Sequence, residues 1–261
     1  MGVLQEKKGF ICDMDGVIYH GNNLLPGVTE FVKWLQESGK EFIFLTNSAE
    51  RTPTELSQKL KRMGLEVPEK HFYTSALATA EFLAHQKPNC SAYVIGEAGL
   101  MNALYDQGIY MNDVNPDYVV MGDTRTYNFE KIEKAIALVN NGAKLIGTNP
   151  DITGPTENGI MPAVGSLIAP IEIATGKKAY FVGKPNPLMV RHAIKSLGCH
   201  SAETAFVGDR MDTDIVSGLE SMIDTVLVLS GVTTLEMLPD FPYTPTYVLN
   251  GVGEIMTCEA K

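Results

Sequence analysis

The chain has 261 residues, 44% hydrophobic and 20% charged, with Lys plus Arg totalling 21 against 31 Asp plus Glu for a formal net charge of -10. That length buries a real hydrophobic core without disulfide or metal staples, and the composition excludes intrinsic disorder. A net acidic chain with no basic run excludes a nucleic-acid polymer as the main partner, yet leaves a small anionic ligand open, because a site can be locally cationic, above all around a metal.

Short apolar runs alternate with helix-period segments almost from end to end. Strands are predicted at Phe10–Asp13 and Phe42–Thr46. Thr52-Pro53-Thr54-Glu55 then reads as a capping box with Pro at the first helical position, followed by Leu56, Leu60 and Met63 on one face and Gly64 as the stop. Two more strands are predicted at Ala92–Ile95 and Tyr118–Met121, and Asn128 caps a helix that carries Ile132, Ile136 and Val139 on one stripe. Strands at Lys144–Thr148 and Ala179–Val182 come next. Asn186-Pro187 opens a third helix with Val190, Ile194 and Leu197 turned inward before Gly198, and strands at Thr204–Val207, Thr225–Leu229 and Tyr247–Leu249 complete the order. The apolar runs are rich in Val, Ile, Phe and Tyr and lack polar alternation, as parallel strands buried on both faces do. The fold class is therefore α/β, a doubly wound parallel sheet. Nine strands exceed what one compact sheet needs, so a second subdomain is expected, although no low-complexity linker marks it.

No stretch approaches the roughly 18 apolar residues of a membrane span. The polar start, Met1 to Lys8, has no signal-peptide apolar region, and Cys12, Cys90, Cys199 and Cys258 are scattered without metal-type spacing, so a reduced, cytoplasmic protein is expected. The oligomeric state is left open, a homo-oligomer included.

In an open parallel sheet, ligands sit outside the carboxyl ends of the strands. The residues standing there are Asp13-Met14-Asp15-Gly16, Thr46-Asn47-Ser48, Gly183-Lys184-Pro185 and Gly208-Asp209-Arg210-Met211-Asp212-Thr213-Asp214. One strand–helix–strand unit separates Asp13 from Thr46, and another Lys184 from Asp209, so the four ends can share one edge. Clustered carboxylates repel, and a divalent cation is the usual remedy. A hard all-oxygen set of Asp13, a backbone carbonyl and Asp209 suits Mg²⁺, completed by waters and a substrate phosphate. Lys184 and Thr46 add a cation and a hydroxyl beside a phosphoryl group. A carboxylate facing phosphorus is a competent nucleophile, and Asp15, two residues on, can protonate the leaving oxygen and later activate water.

Together these residues resemble the haloacid dehalogenase-like superfamily of aspartate-nucleophile phosphatases, whose motifs are Asp-x-Asp-x-Thr/Val, a strand-end Thr or Ser, a Lys, and Gly-Asp-x-x-x-Asp. All occur in order here, over the whole chain. Leu25-Pro26-Gly27, Gly183-Lys184-Pro185-Asn186-Pro187 and Gly208 to Asp214 further resemble the NagD-like subfamily. The resemblance implies a Rossmann-like core at residues 1–79 and 180–261, with an inserted α/β cap at 80–179 and substrate in the core–cap cleft. It implies Asp13 as nucleophile and Asp15 as general acid and base. Mg²⁺ would rest on the Asp13 carboxylate, the Asp15 carbonyl and Asp209, with Asp214 behind them orienting waters or Lys184. Thr46, the Asn47 backbone and Lys184 would hold the phosphoryl oxygens, with Arg210 a further candidate to reach substrate. The implied reaction is hydrolysis of a small phosphomonoester, a nucleoside monophosphate or sugar phosphate, with phosphoryl transfer to a sugar hydroxyl or a non-catalytic phospho-accepting module as alternatives. The size of the chain and the acid at Asp15 speak against the last.

Where relatives read Thr-Asn-Asn-Ser, this chain reads Thr46-Asn47-Ser48-Ala49-Glu50, a departure that bears on substrate choice. Thr148-Asn149 repeats the strand-then-Thr-Asn pattern inside the expected cap. Asn149, Pro150 and Asp151 read equally as pocket lining or plain loop, and Gly159–Gly165 as pocket loop or helix entry. Asp212 reads as a surface acid at a helix start. The five histidines read as structural or surface residues, Cys12 as a core thiol and the single Trp34 as core packing.

Overall fold

The computed structural model describes residues 4–156 and 159–258. The chain divides into two compact units, one formed by Met1–Thr46, Ser57–Tyr73 and Lys184–Lys261, the other by Asn47–Leu56 and Thr74–Gly183. The segment read as the cap, 80–179, lies inside the second. Among the described residues no helix is long and apolar enough to cross a membrane.

The first unit is built on a six-stranded sheet in the order Tyr247–Leu249, Asp224–Val228, Thr204–Gly208, Gly9–Cys12, Glu41–Thr46, Phe72–Thr74. Gly9–Cys12 pairs in parallel with Thr204–Gly208 on one side and with Glu41–Thr46 on the other, Cys12 facing Val207 and Phe44. Phe10, Ile11 and Cys12 are wholly buried, which explains the unbroken apolar run. Successive strands grow outward from Gly9–Cys12 to one edge and then, after the insertion, from Thr204–Gly208 to the other. The order therefore reverses between these two central strands, and the crevice beyond their carboxyl ends is where such a sheet binds ligands.

Helix Val28–Glu37 buries Val28, Phe31, Val32 and Leu35, and Phe10 meets the rings of Phe31 and Trp34 edge-on at 6.0 and 5.6 Å. Trp34 thus packs against the core rings but is itself only half-buried, at the edge of the core rather than within it. Helix Pro187–Leu197 starts at Asn186, whose side chain accepts the Leu188 N–H. Its buried residues are Met189, Val190, Ala193 and Leu197; Ile194, expected inward, is only half-buried because Ala193 leads the inward stripe at that turn.

The second unit carries a five-stranded sheet in the order Tyr180–Phe181, Lys144–Gly147, Tyr118–Met121, Ser91–Ile95, Tyr110–Met111, all pairs parallel. An antiparallel hairpin, Thr153–Thr156 with Gly159–Pro162, precedes helix Val164–Thr175. Gly159–Gly165 is thus strand and then helix entry. Asn128 caps helix Phe129–Asn140 by accepting the Lys131 N–H at 2.9 Å.

Candidate active site

The site begins where the central strand stops. Asp13 follows Cys12 directly, and its N–H still bonds the Val207 carbonyl at 2.8 Å, so the backbone beneath the carboxylate is held by the sheet. Gly16 then turns the chain with φ 78°, a left-handed conformation open to glycine. Its N–H bonds the Tyr19 carbonyl at 2.9 Å. The small hairpin Tyr19–His20 with Asn23–Leu24 follows. Asp15, half-buried, sits at the base of that flap. Thr46 is the buried last residue of the adjacent strand.

On the other side of the switch point, Asp209 follows Gly208. The chain then makes one wide π turn, Met211–Ile215, in which the N–H groups of Asp214 and Ile215 both bond the Arg210 carbonyl at 3.1 Å. Such turns recur at functional sites because the extra residue re-aims a side chain. Here it returns Asp214 over the start of its own helix, where Oδ2 accepts the backbone N–H groups of Asp209 and Arg210 at 3.2 and 3.1 Å.

Lys184 joins the two sides. Its ammonium is paired with Asp13 Oδ1 and lies 2.8 Å from Asp214 Oδ1 and 3.5 Å from the Leu45 carbonyl, and the residue is 2% exposed. Among the described residues, Asp13, Asp209 and Asp214 form a group able to share an ion, with oxygens within 4.8 Å of one another. Asp15 is not in that carboxylate group; the role expected of it there was through its carbonyl.

The electrostatics follow from three buried acids around one buried cation. Burial drives Asp13 well above the usual carboxylate range; Lys184 pulls it down, while Asp214 and Asp209 add to the rise. Asp209 is pushed up to about 7 by burial and by Asp214, against the Val232 N–H, Lys184 and Arg210. Burial opposes the charge on Lys184, but Asp13 and Asp214 outweigh it and hold the ammonium above its ordinary range. One oxygen stands out: Asp209 Oδ2 accepts the Val232 N–H at 2.7 Å, whereas Oδ1 is buried with no hydrogen-bond partner among the described residues. A buried charged oxygen without a donor is costly. A hard divalent cation suits both that oxygen and the excess negative charge, so the donor set fits such an ion.

The remaining expected residues are placed as follows. Arg210 directs its guanidinium at Asp212, Nε to Oδ1 at 3.1 Å and Nη2 to Oδ2 at 2.9 Å. Asp212 is exposed, as expected. Asn47 belongs to the second unit. There its carbonyl accepts Ser75 Oγ at 2.5 Å and Asn149 Nδ2 at 2.8 Å, and its own amide donates to Asp151 at 3.0 Å. Asn149 and Asp151 therefore tie down this segment. The sequence reading missed Ser230–Thr233, which wraps Asp209 through backbone groups. The signal was present: Ser230-Gly231 follows the strand Asp224–Val228 in the same polar-after-apolar pattern that marked the other strand ends.

Comparisons with known proteins show the family. Residues 10–110 match a family model described as haloacid dehalogenase-like hydrolase, and residues 181–255 one described as HAD-hydrolase-like. A dihydroxyacetone phosphatase of Corynebacterium glutamicum is 46% identical over 95% of this chain and 90% of its own length. The ribonucleotide monophosphatase NagD of Escherichia coli is 43% identical over 95% of this chain and 98% of its own. The crystal structure of a 4-nitrophenylphosphatase from Thermotoga maritima superposes with a TM-score of 0.94 at 36% identity, covering 99% of each chain.

Proposed function

The chain belongs to the haloacid dehalogenase-like hydrolases, NagD-like branch, and is a phosphomonoesterase; from that premise we propose that it is Mg²⁺-dependent and hydrolyses nucleoside monophosphates or sugar phosphates through a phosphoryl group carried on Asp13. The observation that carries this reading is the buried Asp13–Lys184–Asp214 chain beside the unpartnered Oδ1 of Asp209, at the sheet's switch point.

In this reading Asp13 attacks phosphorus through a carboxylate oxygen, the bond from phosphorus to the alcohol oxygen breaks, and Asp15 gives that oxygen its proton. Asp15, now ionised, takes a proton from water as the water oxygen attacks the same phosphorus. The acyl phosphate bond breaks, phosphate departs, and Asp13 is restored as a carboxylate. Lys184 keeps Asp13 oriented, and with the Thr46 hydroxyl and the Asn47 backbone it faces the phosphoryl oxygens. Arg210 would extend that contact toward substrate on leaving its pair with Asp212. Asp214 fixes Lys184 and the backbone of Asp209 and Arg210. Asp13, the Asp15 carbonyl and Asp209 would hold Mg²⁺, which supplies, when bound, positive charge against the phosphoryl oxygens.

The test is phosphate release from p-nitrophenyl phosphate and from a panel of nucleoside monophosphates and sugar phosphates, in Mg²⁺ and in EDTA. Release that EDTA abolishes and Mg²⁺ restores, with a phosphorylated Asp13 trapped by rapid acid quench and mass spectrometry, is the expected result. Release in EDTA at the same rate removes the metal from the reading. Transfer of the phosphoryl group to an added sugar in place of phosphate release turns the reading to a phosphotransferase.

A further inference from the structure

We infer that Ser230–Thr233 is the positioning element for Asp209, and that its glycine, Gly231, sets how tightly this chain binds Mg²⁺; the inference rests on the reading of Asp209 as a metal ligand. The segment holds Asp209 at two points. The Val232 N–H bonds Oδ2 at 2.7 Å, and the Thr233 N–H bonds the Asp209 carbonyl at 3.1 Å. Side chain and backbone of one residue are thereby fixed by two consecutive amides.

Space is as decisive as hydrogen bonding. A Cβ at Gly231 would lie 2.0 Å from Asp209 Oδ2, 2.5 Å from Cγ and 2.6 Å from Cβ, all far inside contact distance. A Cβ at Gly16 would lie 2.5 Å from the same Oδ2 and 3.0 Å from the Gly231 Cα. Oδ2 is therefore seated between two glycines with a donor on it, and the carboxylate cannot rotate to exchange its oxygens. That seating leaves Oδ1 buried with no hydrogen-bond partner among the described residues.

The segment also ties the loops of the site together. Ser230 Oγ donates to the Gly16 carbonyl at 2.7 Å, one residue past Asp15. The Met211 N–H donates to Thr233 Oγ1 at 3.3 Å, at the start of the π turn that carries Asp214. Groups that orient metal ligands in this way are worth about 10–100-fold in metal affinity. Because Mg²⁺ demands near-ideal octahedral geometry whereas Ca²⁺ accepts irregular coordination, loosening Asp209 should cost Mg²⁺ more than Ca²⁺.

The experiment is isothermal titration of the metal-free protein with MgCl₂ and, separately, CaCl₂, alongside its melting temperature without metal. Gly231→Ala is expected to weaken Mg²⁺ by about tenfold or more while Ca²⁺ changes by less than about threefold. No loss of Mg²⁺ affinity, or an equal loss of both ions, overturns the inference. Should Gly231→Ala fail to fold, Ser230→Ala and Ser230→Thr decide. The alanine variant is expected to weaken Mg²⁺ by roughly threefold to tenfold, and threonine, which keeps Oγ, to restore it within about twofold; Ala and Thr variants that both bind like the wild type overturn it. Asp209→Ala separates the layers. Mg²⁺ binding that survives Asp209→Ala removes the ligand reading and this inference with it, whereas binding lost in Asp209→Ala but intact in Gly231→Ala removes this inference alone.

Discussion

At the scale of single residues, the site is a problem of charge. Asp13, Asp209 and Asp214 crowd within 4.8 Å around one ammonium, so each carboxylate raises the cost of ionising the next. Asp13→Asn removes one of these charges with almost no change of shape. It should cut turnover by at least about a thousandfold, since an amide is a poor nucleophile. The apo melting temperature should stay within a few degrees, because Asp214 still pairs with Lys184. Steady-state kinetics and calorimetry check both, and activity within tenfold of wild type would remove Asp13 from the nucleophile role. Asp15→Asn should be least harmful with p-nitrophenyl phosphate, whose leaving oxygen needs little protonation, and far more harmful with an alkyl phosphate such as a sugar phosphate. Equal losses for both substrates would count against Asp15 as the acid. Asp13, Asp209 and Lys184 were legible in the sequence because each stands at the end of an apolar run, whereas Asp214 was marked only by the resemblance of Gly-Asp-x-x-x-Asp to the family motif. The backbone amides of Val232 and Thr233 were not legible, since any residue but proline carries an N–H and the side-chain letter says nothing of its use.

At the scale of elements, the capping chemistry was as readable as the catalytic letters. Thr52 and Glu55 exchange hydrogen bonds as a capping box should, the Thr52 N–H to Glu55 Oε2 at 2.8 Å and the Glu55 N–H to Thr52 Oγ1 at 3.2 Å. The cap at Asn128 is as local. Asn128→Ala should destabilise the protein by about 1 kcal/mol, seen as a lower urea midpoint with an unchanged slope, while Asn128→Ser should recover most of it. An unchanged midpoint for alanine would mean that packing of Ala135, Leu138 and Val139 alone holds this helix. Strands of four or more buried residues could be read from their apolar runs. The pairs Tyr19–His20, Asn23–Leu24 and Tyr110–Met111 could not, because so short a strand shows no period; Tyr180–Phe181, equally short, is legible only because it lies within the apolar run Ala179–Val182. The hairpin Thr153–Thr156 with Gly159–Pro162 was hidden by Gly154, Pro155 and Pro162, which argue against a strand and are tolerated where a short hairpin leaves amides unneeded. The π turn at Met211–Ile215 was invisible too: Gly-Asp-x-x-x-Asp reads as an ordinary helix start, and only the doubled acceptor at Arg210 reveals the extra residue.

At the scale of the whole molecule, the chain passes between its two units several times, and one passage falls between Thr46 and Asn47, inside a motif that reads as continuous. Sequence order cannot show this, because the contacts that hold Asn47–Leu56 in the second unit are made by residues far along the chain. Asn149 and Ser75 hold the Asn47 carbonyl, and Asp123 Oδ2 accepts the Ala49 N–H at 2.8 Å. Asp123 has a measurable consequence. Burial pushes its carboxyl up to about 6, with Asp151 and Glu50 adding to the rise and the Ala49 N–H opposing it. The folded protein therefore holds this proton more tightly than the unfolded chain, whose aspartate titrates near pH 4. Between those values the native state binds more protons, so stability falls as pH rises from about 4 to about 6 and stays reduced above. Asp123→Asn keeps an oxygen to accept the Ala49 N–H and removes the half-buried charge. Its melting temperature should exceed that of the wild type by a few degrees at pH 8, with the gap closing as pH falls toward 4. Thermal melts of both proteins across that range provide the check; a gap absent at pH 8 would show that the carboxylate is stabilised by more than the Ala49 amide, and a gap that persists unchanged at pH 4 would show that the gain does not come from removing the charge.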